Sequence, residues 1–180
     1  ATNGSVVIDG NIATYSPNQD FNGDDSFTFT VSDGELDDTA SVTLTVDPVN
    51  DAPVLDAVSD VSFDEDDSTS ISLSGTDVDG DALTFSITGG TDIIATLDGS
   101  DITFSAPANF NGSETFTITA SDTELTDSQS ITVTVNAVND SPVATTGLSA
   151  TMNEDQSVIV NLSGSDIDED ILTFSLDADA

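Results

Sequence analysis

Three aspartates alternate with other residues in Asp77-Val78-Asp79-Gly80-Asp81, and the spacing returns in Asp166-Ile167-Asp168-Glu169-Asp170. Alternate residues of an extended loop point to the same side, so such a run can aim two carboxylates at one place. A carboxylate pair can bind a metal ion or move a proton, and composition separates the two. The chain holds 35 Asp and Glu and no Lys, Arg, His or Cys, for a net charge of -35. Without His or Cys, zinc, copper and haem lose their usual donors. Carboxylate, amide, hydroxyl and backbone carbonyl oxygens remain, a set that suits hard cations and Ca²⁺ above all. Without His, Cys or Lys the chain also lacks the ordinary bases and nucleophiles, so an enzyme is not expected. Two carboxylates can hydrolyse a glycoside, but only across a groove that nothing in the sequence implies. Asp81 would continue an EF-hand start, yet Thr88 stands where the twelfth-position Glu is required. Phosphate capture and nucleic-acid binding need Lys or Arg and are excluded.

The acids concentrate in three kinds of loop: Asp47-Pro48-Val49-Asn50-Asp51-Ala52-Pro53, Asp64-Glu65-Asp66-Asp67, and the Asp-x-Asp run. These loops recur. Val49-Asn50-Asp51-Ala52-Pro53-Val54 returns as Val138-Asn139-Asp140-Ser141-Pro142-Val143, 89 residues on. Asp64-Glu65-Asp66 returns as Asn153-Glu154-Asp155, and Leu83-Thr84-Phe85-Ser86 as Leu172-Thr173-Phe174-Ser175. Phe21-Asn22-Gly23 and Ser32-Asp33 return as Phe110-Asn111-Gly112 and Ser121-Asp122. With the Asp-x-Asp runs, six landmarks share one offset without a gap. A period near 90 suits a small domain rather than a solenoid unit. The expected organisation is a C-terminal half repeat over 1–48, a complete repeat over 49–138 and an N-terminal half repeat over 139–180. The two halves add up to almost one whole repeat. That pattern fits a two-period window of a longer chain, and it also fits subunits that complete one another head to tail.

Strand periodicity must position these loops. Ser26–Val31, Ala40–Val46, Ile71–Leu73, Leu83–Ile87, Ile102–Phe104, Phe116–Thr119 and Ile131–Val135 alternate apolar residues with Thr or Ser. Such strands bury one face and wet the other, and Gly, Asp and Asn clusters part them at turn spacing. The expected fold is all-β: tandem Greek-key sandwiches of immunoglobulin or cadherin-like type, about seven strands in each repeat of roughly 90 residues. Asp24, Asp25, Asp37 and Asp38 read as acidic loop tips, and Asn22-Gly23 and Asn111-Gly112 as turns. No apolar run approaches the ~20 residues of a membrane helix, so no membrane insertion is expected. With neither initiator Met nor signal peptide, the chain reads as an interior piece of something longer.

The ordered set Glu65, Asp77-x-Asp79-Gly80, a Leu-Thr-Phe strand, Ala120-Ser121-Asp122 and Val-Asn-Asp-x-Pro resembles the cadherin repeat, in particular the bacterial cadherin-like tandem repeats of long surface adhesins. The resemblance covers the whole chain. It implies Ca²⁺ between successive repeats. At the first junction it implies Asp47, Asn50, Asp51, Asp77, Asp79 and Asp122 as ligands. At the second it implies Glu65, Asn139, Asp140, Asp166 and Asp168. It further implies an extracellular, calcium-stiffened spacer or adhesin stalk. Its partners would be neighbouring repeats of the same or identical chains, or glycans and other cell-surface material. Asn136 stands where the first junction has Asp47, and the family's Leu-Asp-x-Glu segment gives way to Phe110-Asn111-Gly112. Fewer or weaker ions per junction would follow.

Overall fold

A computed structural model describes residues 1–176, which form strands, turns and loops without a helix. In chain order the strands are β1 (Gly4–Asp9), β2 (Ile12–Pro17), β3 (Gly23–Ser32), β4 (Asp37–Val46), β5 (Val54–Leu55), β6 (Val61–Asp64), β7 (Ser68–Ser72) and β8 (Gly75–Thr76). They continue as β9 (Thr84–Gly89), β10 (Ile94–Asp98), β11 (Asp101–Ser105), β12 (Gly112–Ser121), β13 (Thr126–Asn136), β14 (Val143–Ala144) and β15 (Gly164–Ser165). Every alternating segment named above overlaps a strand, though Leu73 lies just past the end of β7 and Leu83 just before β9. The described residues form two compact units, each with one Asn-Asp-x-Pro linker. The first comprises 1–56, 74–84 and 119–127, and the second 57–73, 85–118 and the residues from 128 onward.

In the first unit β1 pairs antiparallel with β2, β3 with β4, and β5 with β8. Gly10 opens the turn between β1 and β2 at a φ of 62°, and Gly99 opens the turn between β10 and β11 at 63°. Glycine adopts that left-handed conformation without a Cβ penalty. Asp25, on β3, ties the sheets of this unit together. Its carboxylate accepts from the N–H groups of Thr2 at 3.1 Å, Asn3 at 2.9 Å and Ser26 at 2.7 Å, and from the Tyr15 hydroxyl at 2.9 Å. This corrects the loop-tip reading. Asp24, Asp25, Asp37 and Asp38 all lie on strands, and Asp25 is only 8% exposed. Backbone donors let a carboxylate face inward where no cationic partner exists.

The second unit contains a β-sandwich. One sheet has the order β10-β11-β7 and the other β6-β13-β12-β9, with β6 parallel to β13. Ile102 and Phe104 of β11 are buried, as are Phe116 and Ile118 of β12 and Ile131 and Val133 of β13. Phe104 and Phe116 meet edge to face, with centroids 5.4 Å apart and planes at 68°. That arrangement sets the positive ring edge against the negative face. Each such side chain contributes on the order of 1.5–3 kcal/mol by leaving water. Glu114, the counterpart of Asp25 at the 89-residue offset, accepts from the N–H groups of Thr91, Asp92 and Ile93 at 2.8, 3.1 and 3.0 Å. Burial works against its ionisation, but the three donors outweigh this and hold its carboxyl below the ordinary range. In the 139–180 segment β14 pairs with β15, and residues 177–180 lie outside the described residues.

Candidate metal centres at the two linkers

Both linkers are built alike. At the first, the Asp51 N–H donates to Oδ2 of Asp79 at 2.8 Å, pinning the linker to the Asp-x-Asp loop. That loop is folded by Asp77, whose Oδ1 accepts from the N–H groups of Asp79 at 2.9 Å and Asp81 at 3.4 Å. Gly80, at a φ of 83°, lets the chain turn there. Oδ2 of Asp77 is buried and has no hydrogen-bond partner. Asp47, Asp51 and Asp79 line one cavity of about 200 Å³ with Asp20, Asn18 and Asn22.

Asn50 and Asp122 meet each other: Nδ2 of Asn50 donates to Oδ2 of Asp122 at 2.8 Å. Oδ1 of Asp122 accepts from the N–H groups of Glu124 at 2.7 Å and Leu125 at 2.6 Å. The Leu125 N–H, followed by the Asn50 amide, holds this carboxyl below the ordinary range. Asp33, 89 residues earlier, accepts from Glu35 and Leu36 in the same way at 2.8 and 2.7 Å. Both aspartates shape the turn between two strands, and Asp122 also orients Asn50.

At the second linker the Asp140 N–H donates to Oδ2 of Asp168 at 2.6 Å. Oδ1 of Asp166 accepts from the N–H groups of Asp168 and Asp170 at 3.0 and 3.4 Å. Glu65 is 5% exposed, and its Oε1 accepts from the Val138 N–H at 2.5 Å. The Asn139 side chain turns onto the Asp140 carbonyl at 2.9 Å. Asn136, in place of Asp47, donates from Nδ2 to Asp64 at 3.1 Å. Oδ2 of Asp140 is buried and unpartnered. Burial pushes the Asp140 carboxyl up, reinforced by the charges of Asp168, Asp66, Glu65 and Asp166.

The structure thus gathers Glu65, Asp140, Asp166 and Asp168 at one linker, and Asp47, Asp51 and Asp79 at the other. Sequence reasoning missed Asp66 and Asp20. Asp66 adds its charge to the second group and accepts from the Asn109 N–H at 3.1 Å. Asp20 lines the first cavity. Asp20 and its counterpart Asn109 share a left-handed φ, 57° and 56°, as do Asp66 and Asp155 at 63° and 62°. Among the described residues no three acidic side chains already stand as a finished metal cage. The donor chemistry nonetheless fits a hard cation. Asp77 Oδ2 in the first Asp-x-Asp loop and Asp140 Oδ2 in the second linker are both desolvated without a donor, Asp140 with further carboxylates nearby, and the chain has no cationic side chain to offset them.

Comparison with known proteins agrees with the strand architecture. The family model described as bacterial Ig domain matches residues 1–46 and 50–134. A 61-residue stretch is 43% identical to Chitinase A of Pseudoalteromonas piscicida, covering 33% of this chain and 7% of that protein. An endo-fucoidan hydrolase from glycoside hydrolase family 107 aligns at 26% identity and a TM-score of 0.37, over 75% of this chain and 23% of the other. Surface layer protein SbsC, domains 1–6, aligns at 17% identity and a TM-score of 0.42, over 93% of this chain and 22% of the other. The chain therefore spans less than a quarter of each of these relatives. On the match of more than half its residues, the chain belongs to the bacterial Ig domain family.

Proposed function

We propose that the chain is a calcium-stiffened structural segment of a secreted or surface-anchored repeat protein, with cadherin-like ion sites where successive repeats meet. The observation that carries this reading is the pair of buried, unpartnered carboxylate oxygens of Asp77, in the first Asp-x-Asp loop, and Asp140, in the second linker. Leaving such an oxygen desolvated and unpaired is costly, and no Lys, Arg or His is present to relieve it. Asp47, Asp51, Asp77 and Asp79 would hold Ca²⁺ at the first linker, with Asn50 positioned by Asp122. Glu65, Asp140, Asp166 and Asp168 would hold it at the second, with Asn139 and Asp66 beside them. A bound Ca²⁺ supplies the positive charge that these carboxylates lack. The carboxylates would then cease to repel one another, and the linker N–H to Asp-x-Asp bonds would be locked in place. Millimolar calcium outside cells matches the weak affinity of extracellular modules, about 10⁻⁴–10⁻³ M. The partners of this reading are neighbouring repeats of the same or identical chains.

A second reading, an adhesive module that contacts carbohydrate, is favoured by the match to Chitinase A. Pull-down of the chain on chitin and a glycan array separates it from the spacer. For the calcium reading, melting and small-angle scattering are compared in millimolar calcium and in chelator. Calcium should raise the melting temperature and narrow the range of interdomain geometries. Identical melting and scattering in both buffers would sink the proposal. Replacing Asp77 and Asp79 by Ala should abolish binding at the first linker and spare the second.

A further inference from the structure

The outward face of the four-stranded sheet β6-β13-β12-β9 is built of hydroxyls. Alternate residues of β12 from Ser113 to Thr117 and of β13 from Ser128 to Thr134 are all Ser or Thr, and Ser86 and Thr88 of β9 extend the set. Neighbours stand about 7 Å apart along a strand and about 4.8 Å apart across strands, so the hydroxyls form a grid. Ser113 bonds to Thr134 at 2.9 Å and Thr117 to Ser130 at 3.5 Å. A hydroxyl offers one donor and two acceptor positions, so each paired group keeps capacity for a ligand. This is the outer side of the sandwich, and it stays open when the core behind it is complete.

Charge sets this face apart in a chain of net charge -35. Glu114 and Asp127 have the opposite strand parity and turn from it, Asp127 accepting from the Leu55 N–H at 2.9 Å. Asp64 stands at the end of β6, where the Asn136 amide holds it. The outward side of the other sheet, by contrast, carries Asp98 and Asp101. A wet face that only needed strand propensity could hold acids in the same way. The hydroxyl pattern also returns. Ser26 and Thr28 of β3 and Thr39, Ser41, Thr43 and Thr45 of β4 are exposed 89 residues before Thr115, Thr117, Ser128, Ser130, Thr132 and Thr134. Ser and Thr exchange at two of these positions, but no acid enters. Asp24 and Asp37 stand only at the ends of the β3–β4 ribbon.

We propose that this hydroxyl face is a binding surface for an uncharged polysaccharide, presented once in each repeat by the strands at the positions of β12 and β13. Charge selects the partner. A second copy carries the same -35 and an anionic polymer or membrane is repelled, whereas a neutral polymer is not. A cationic partner would seek the acidic loops instead. Covering the hydroxyl grid strips water from no carboxylate, which is the costly step elsewhere on this chain. Thr presents a methyl and a hydroxyl side by side, matching the C–H and O–H groups of a sugar ring. The proposal rests on the carbohydrate reading above for its class of ligand, and it uses neither the linkers nor calcium.

The test is retention of the full chain on chitin, on cellulose and on carboxymethyl cellulose, which is the same polymer bearing carboxylates. The wild type should be held by a neutral polymer and pass through the carboxylated one. Thr132→Glu charges the face of the sandwich, and Thr43→Glu charges the same place one repeat earlier. Each should weaken retention about tenfold or more, and the two together should abolish it. Thr96→Glu, on the outward side of the other sheet, should leave retention unchanged. Thr132→Val keeps the strand propensity and removes only the hydroxyl, so its weaker retention decides the matter if the charged variants misfold. Retention that the double variant keeps would overturn the face and leave the carbohydrate reading standing. A wild type that neither neutral polymer holds would overturn both. Equal retention on carboxymethyl cellulose would overturn the choice of an uncharged ligand. A dimer in sedimentation velocity that Thr132→Glu dissolves would give the face to a second copy and overturn the proposal.

Discussion

The backbone N–H of Asp140 donates to Oδ2 of Asp168 at 2.6 Å, and 89 residues earlier Asp51 donates to Asp79 at 2.8 Å. Each linker is thus stitched to a loop of its own charge sign by backbone dipoles. The stitch leaves one oxygen of Asp140 buried without a donor. Burial, then Asp168, Asp66, Glu65 and Asp166, pushes this carboxyl up. A raised folded-state value favours folding at pH below the unfolded carboxylate range, and that contribution is lost as pH rises through the raised value. In calcium-free buffer Asp140→Asn should therefore stabilise the fold at neutral pH and flatten this loss. Calcium at ten times its dissociation constant should stabilise the wild type by about 1.4 kcal/mol per site, and the variant should lose the increment from its altered linker. Melts at several pH values, with and without chelator, check both arms. A variant with the full calcium response would remove Asp140 from the site.

Asp25 carries the opposite sign. Donors from Thr2 and Asn3, with Ser26 and Tyr15 behind them, hold its carboxyl far below the ordinary range against the effect of burial. Its contribution to stability is present above the unfolded value, about 3.9. It is lost as pH falls toward the folded value. Acidification from neutral pH should therefore loosen β1–β2 from β3, with amide resonances of Thr2, Asn3 and Ser26 moving together. Asp25→Asn should show the loosened spectrum already at neutral pH. Sharp, unshifted amides for those three residues in the variant would refute the clamp.

Asp25 also shows where sequence reading stops. Strand alternation was legible because Thr and Ser alternate with apolar residues, and the 89-residue offset aligned the linkers without a gap. The difference between Asp24 and Asp25 was not legible. Adjacent strand residues face opposite sides, and which of two aspartates faces inward depends on N–H groups from Thr2 and Asn3, 23 and 22 residues away. Asp122 fits the same account. Its place in a family motif suggests a ligand, and the motif does not reveal that its oxygens also shape a turn and accept from Asn50. Asp66 was visible only as one more acid in Asp64–Asp67, because its proximity to Asp140 is a long-range consequence of folding.

Glu169 occupies the position that Gly80 fills one repeat earlier, at a φ of 63° against 83°. A side chain in the left-handed region costs roughly 1–2 kcal/mol. A glycine there gives back part of that gain through a more flexible unfolded chain. Glu169→Gly should raise stability by about 0.5–1 kcal/mol in urea unfolding. The reverse change, Gly80→Glu, should cost about 1–2 kcal/mol through the backbone alone, because a Cβ at Gly80 would meet no atom within 4 Å. Equal stability of all three chains would show that the turn relaxes around either residue.

Phe116 and Phe27 are the same position in successive repeats, yet Phe116 is sealed against Phe104 while Phe27 borders an open hollow. Cutting Phe116 to Ala removes a buried ring and leaves a cavity, which costs about 3–5 kcal/mol. Phe27→Ala removes a ring that water already reaches, so at dilutions where the chain is monomeric it should cost less than half as much. Urea unfolding of both variants at low concentration measures the difference. Equal penalties at low concentration would mean that the hollow beside Phe27 is already closed within the single chain.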